Sequence, residues 1–86
     1  MKLYVLVDPT LSRSQRAVQA AHAVAQYLID NPNTSWDNGT LVVLKAEDIN
    51  NEALNADSIF KEPDLNNRIT AITKLGCNLY QNHVLL

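Results

Sequence analysis

An α/β fold, built on a four-stranded mixed sheet of order 2-1-4-3 with its last strand antiparallel, is predicted by three features of this sequence. An unbroken apolar run, "LYVLV" (Leu3 to Val7), stands near the start. An alanine-rich stretch with helical spacing follows it. Three further short segments rich in β-branched and aromatic residues give the element order strand, helix, strand, helix, strand, strand. At 86 residues the chain has room for one core and is read as a single domain over 1–86.

The first strand is Leu3 to Val7. Its apolarity does not alternate, as in a strand covered on both faces, and this places it inside the sheet. Asp8-Pro9 ends it, because proline lacks the N–H that a ladder needs. Ser12 or Ser14 can cap the helix that follows. Helical spacing then continues to Asp30, where Asn31-Pro32-Asn33 stops it by steering the residue before proline away from the α region. Asp37-Asn38-Gly39 is a turn signal, and "TLVVLKA" (Thr40 to Ala46) is the second strand, parallel to the first through a right-handed crossover. Asp48 opens a short helix running to about Asn55. "SIFKE" and "RITAITK" are the last two strands, joined by the turn residues "PDLNN". The tail "NLYQNHVLL" reads as a last helical turn followed by an apolar docking segment.

The composition excludes several classes. The net charge of −2 argues against a broad basic surface, though not against a small patch that grips one or two phosphates. Cys77 is the one cysteine, so no internal disulfide forms. It is read as a small packed hydrophobe rather than a nucleophile, in keeping with a reducing cytoplasm. The run after Lys2 stops at Asp8 after five residues, too short for a secretory core or a membrane span. The protein is therefore expected to be cytoplasmic. His22 and His83 are the two histidines, and neither a His-x-x-x-His nor a Cys-x-x-Cys spacing exists, so no metal site is expected. With glycines at 39 and 76 alone, no glycine-rich phosphate loop can form.

One pattern calls for explanation. Gln15, Gln19, His22 and Gln26 step by four, three and four residues, so they share one face of the first helix. A solvated face would ordinarily carry Glu and Lys. The neutral file suits a shielded cleft or an interface, and His22 within it is either a catalytic group or a surface residue.

"VLVDPTLSRSQRAVQAAHA" resembles the opening of the type 2 peptidyl-tRNA hydrolases, in which a strand ending near an Asp leads into a basic Lys-Gly-Lys loop and a helix reading roughly A-A-Q-C-S-H-A. Ala17 to Ala23 match that helix without a gap, and Asp8 matches the Asp after the strand. "FKEPDLNNRITAI" is similar to the family's second signature, a turn whose aspartate falls on Asp64. The resemblance covers most of the chain in the right order. It departs at the two loop lysines, whose positions hold Arg13 and Gln15. Arginine keeps the charge but does not exchange a proton near neutral pH, and glutamine keeps only hydrogen bonding.

The resemblance implies hydrolysis of the ester that joins a peptide to the 3′ end of tRNA, with no metal or organic cofactor. In that reading Asp64 or His22 activates water, and Arg13 with the first N–H groups of the helix holds an oxyanion or phosphate. Gln15, Arg16, Gln19 and Arg68 are the remaining substrate-binding candidates. Two other readings stand beside it: a non-catalytic member of the fold that binds tRNA ends or a protein partner, and a homodimer joined through the alanine-rich helix.

Overall fold

Leu3, Val5 and Val7 turn to one side of the first strand and Tyr4 and Leu6 to the other, and all five are buried. That two-sided burial fixes the strand at the centre of the sheet. The computed structural model describes residues 1–86 as β1 (Lys2–Val7), α1 (Arg13–Asp30), β2 (Thr40–Lys45), α2 (Ile49–Glu52), β3 (Ser58–Glu62) and β4 (Arg68–Gly76). Single 3₁₀ turns follow α2 at Ala53–Asn55 and β3 at Pro63–Leu65. The strands form one mixed sheet of order β2-β1-β4-β3, as the sequence predicts, with β1 parallel to β2 and β4 antiparallel to both its neighbours.

Each face of the sheet has its own cover. α1 lies over Val5, Val7 and Ala71 through Ala20 and Ala23, whose short side chains let the helix approach closely. On the other face Tyr4, Leu6, Leu44 and Ile72 pack with Ala46 and Ala53, and Ile49, Leu79 and Tyr80 close over them. A third group, Leu3, Tyr27 and Trp36, seals the far end of α1. The Trp36 indole N–H donates to the Thr40 carbonyl at 3.0 Å, so the ring is buried with its polar atom satisfied.

Ser12 is the N-cap of α1. Its hydroxyl accepts from Gln15 N at 3.3 Å, and Gln15 Oε1 accepts from Ser12 N at 3.2 Å, a reciprocal capping box. At the other end Asn31 donates from both its backbone and its side chain to the Tyr27 carbonyl. The loop from β3 to β4 closes with Asn66 and Asn67 both in the left-handed region, at φ 57° and 58°, which asparagine tolerates better than most side chains.

Two expectations are corrected. The tail forms no helical turn. Tyr80 takes a left-handed conformation (φ 56°), and the last residues then run antiparallel along the edge of β2, with Lys45 N donating to Val84 O at 2.8 Å and Leu86 N to Val43 O at 3.2 Å. An open strand edge offers backbone partners that a terminal turn of helix does not. Cys77 is exposed rather than packed, because β4 ends at Gly76 and the chain turns outward there.

His83 anchors this tail. Its Nε2 lies 2.5 Å from Glu52 Oε2, while Glu52 Oε1 accepts from the N–H groups of Glu47 and Asp48. Tyr80 packs edge-on against both Tyr4 and His83. Burial raises the Tyr80 phenol above its ordinary value of 10.0, and the carboxylates of Glu52 and Asp57 add to the shift. No helix of the chain is long and apolar enough to cross a membrane.

Candidate functional site

β1, β2 and β3 run in the same direction, so their carboxyl ends, the start of β4 and the N-terminus of α1 all meet along one end of the sheet. In open α/β sheets ligands bind in the crevice at that end. Of the residues selected from the sequence, Arg13, Gln15, Arg16, Gln19, Asp64 and Arg68 lie near this rim in more than one place, whereas His22 and Gln26 lie further along α1.

A cleft of about 220 Å³ opens between the first two turns of α1 and the loop from β3 to β4. It is lined by Leu11, Ser14, Gln15, Val18, Gln19, Glu62, Asp64 and Leu65. Gln15, Gln19 and Asp64 are therefore brought together, although Asp64 follows Gln15 by forty-nine positions in the chain. Asp64 is exposed, and its backbone N–H leans on Glu62 Oε2 at 3.5 Å. In the first turn of α1 the N–H groups of Arg13 and Ser14 have no acceptor in the chain, and Ser14 belongs to the cleft wall. Such N–H groups suit an anion or a developing oxyanion.

Gln19 is the keystone of the cleft floor. It is only 4% exposed; its amide N–H donates to Glu62 Oε1 at 2.9 Å, and its Oε1 accepts from the Thr70 hydroxyl at 2.7 Å. Thr70 reaches it through a β-bulge. The pairing of β3 with β4 steps from Phe60↔Ala71 to Lys61↔Ile69, which leaves Thr70 as the extra residue. Ile69 then packs on the α2 side of the sheet, while Thr70 and Ala71 both address α1. Gln19→Ala leaves the fully buried Thr70 hydroxyl without its partner and frees the Glu62 carboxylate. A loss of about 1–3 kcal/mol in unfolding free energy follows, read by urea denaturation.

The other candidates lie elsewhere. His22 does not line this cleft: it is exposed on the outer flank of α1, its ring stacked on Phe60 at 4.5 Å between centroids and 4° between planes. Gln26 donates to Asp30 one turn on. Arg68 is turned back onto Asp8, its Nη2 2.6 Å from Asp8 Oδ2. Asp8 itself is buried and also accepts from the N–H and hydroxyl of Thr10, so it braces the loop between β1 and α1. Arg13 and Arg16 face away from the cleft, toward the end of β2. Arg13, His22 and Asp64 thus do not surround one depression, because the first turn of α1 stands between Arg13 and Asp64 and His22 lies two turns further along.

No protein-family model matches this chain, and neither does any curated protein.

Glu62 is the site residue that sequence reasoning missed. Its signal was the period of two: Phe60 packs toward α1, and Glu62, two residues on, reaches the same helix. No cluster of three or more His, Cys, Asp or Glu side chains that could hold a metal ion is present.

Proposed function

We propose that this protein is a cytoplasmic esterase that hydrolyses the bond between a peptide and the 3′ end of tRNA. The observation that supports this reading is the composition of the cleft. Its walls come from the two segments that resemble type 2 peptidyl-tRNA hydrolases, the helix with Gln15 and Gln19 and the turn with Asp64.

In this mechanism the Asp64 carboxylate takes a proton from water as the oxygen attacks the ester carbonyl carbon. The Ser14 N–H and the Gln15 amide face the carbonyl oxygen as it gains charge. The C–O bond to the ribose then breaks, and Asp64 returns its proton to the departing 3′ oxygen, releasing a peptide acid and free tRNA. Gln19 and Glu62 hold the floor rather than react. His22, stacked outside the cleft, is not the base. Purified protein incubated with labelled N-blocked aminoacyl-tRNA should release the labelled acid above the uncatalysed background. Release at the background rate removes the enzyme reading.

One observation favours a second reading, a non-catalytic module that binds tRNA ends. Gln15 stands at a lysine position of the family pattern, and its side-chain oxygen is committed to the capping box. tRNA binding without turnover in the same assay selects this reading.

We also propose that α1 joins two copies of the chain. Val18, Ala21, Ala25, Leu28 and Ile29 form an outward-facing apolar row, with Val18 51% and Ile29 71% exposed. No lysine, arginine or carboxylate interrupts the helix between Arg16 and Asp30, so a second copy can approach without burying charge. Sedimentation at high micromolar concentration should show a species of twice 9.6 kDa that Ala25→Glu converts to monomer. A single 9.6 kDa species throughout excludes the dimer.

A further inference from the structure

On the opposite side of the first turn of α1 lies a second hollow, of about 420 Å³, lined by Arg13, Arg16, Ala17, Lys45, Leu85 and Leu86. Three of these six residues are cations. The ion pairs of the chain are Asp8–Arg68, Asp57–Lys74 and the contacts of His83 with Glu47 and Glu52, so Arg13, Arg16 and Lys45 have no carboxylate within 4.0 Å. Arg16 Nε is buried and has no hydrogen-bond partner. Three like charges around one hollow, in a protein of net charge −2, repel one another.

We propose that this hollow is a binding site for a phosphoryl group. Arginine offers paired N–H donors to two phosphate oxygens, and the lysine adds a point charge. Ala17, Leu85 and Leu86 complete the lining of the hollow. The far wall is held in place because residues 84–86 are hydrogen-bonded along β2 next to Lys45. The identity of the phosphate rests on the function proposed above. A helix width of about 10–12 Å separates hollow from cleft, so a single-stranded 3′ end whose terminal ester sits by Asp64 carries its upstream phosphodiesters toward Arg13 and Lys45.

The test reads binding, not turnover, so the two proposals can fail separately. A short single-stranded RNA labelled at its 5′ end is titrated with full-length protein by fluorescence anisotropy between 50 and 200 mM KCl. Three phosphate contacts give a slope of log K against log salt near −2, at about −0.7 per contact. Lys45→Gln, Arg13→Gln and Arg16→Gln should each shallow that slope by about 0.7, whereas Lys2→Gln, at the opposite end of β1, should leave it alone. Inorganic phosphate should compete with the RNA for the wild type and lose that competition in Lys45→Gln. Circular dichroism melts confirm that each variant is folded. Phosphate binding that depends on Lys45, without RNA binding, keeps the hollow as a site for a free phosphate and removes tRNA as its source. Wild-type slopes and phosphate competition in all three hollow variants overturn the proposal.

Discussion

Asp64→Asn should lower hydrolysis of peptidyl-tRNA by a factor of about 10²–10⁴ while tRNA affinity stays within twofold of wild type. The substitution keeps the shape and removes only the ability to accept a proton. Asp64 suits such a test because it is exposed, and it is tied to its surroundings through its backbone N–H rather than through its carboxylate. Folding stability should therefore be unchanged, and a loss of rate would belong to the chemistry. Single-turnover rates at saturating enzyme separate the chemical step from binding. Wild-type turnover in the Asn variant would take Asp64 out of the mechanism.

Leu6→Ala should cost about 2–5 kcal/mol of unfolding free energy, measured by urea denaturation with an unchanged m-value. Leu6 is fully buried on the face of β1 opposite α1, among Leu44, Ala46, Ala53 and Ile72. Its neighbours there are alanines and strand residues fixed in the ladder, so the gap left by the lost methyls cannot close. A domain of this length has about 4–13 kcal/mol of stability in total, so the variant sits near its unfolding threshold at room temperature. A loss below about 1 kcal/mol would mean that this face is loosely packed.

The fold could be read largely from local patterns. The unbroken "LYVLV", the Asp-Pro and Asn-Pro stops around the helix and the β-branched runs each reflect what a neighbouring residue permits, and these signals lie in the sequence itself. The tail lay beyond such reasoning. "HVLL" carries no period, and its partner is the edge of β2, some forty residues earlier, with His83 held by Glu52. Cys77 departs from the common packing of free thiols because it follows the end of a strand.

The candidate site was legible by residue and not by arrangement. Helical spacing correctly put Gln15, Gln19 and His22 on one face, but it could not say that the face rolls over the sheet edge. Gln19 therefore points into the protein while His22 rests outside on Phe60. Arg68 stands among the substrate-binding candidates in the sequence because nothing near it in the chain is its partner; Asp8 lies sixty residues away. The bulge at Thr70 left only a break in alternation at Ala71-Ile72, and the shift itself arises on pairing with β3.

The central position of β1 bears on how the chain is made. β1 leaves the ribosome first, yet its ladder pairs Lys2 with Gly76 and Val7 with Ala71, near the other end of the chain. At about 5–20 residues per second, the sixty residues between Val7 and Arg68 take on the order of 3–12 s to synthesise. Through that interval the most apolar strand of the protein has at most its β2 partner, and one of its hydrogen-bonding edges stays open. The nascent chain therefore passes through a stage in which "LYVLV" is a natural target for a holding chaperone, and pairing with β4 ends it.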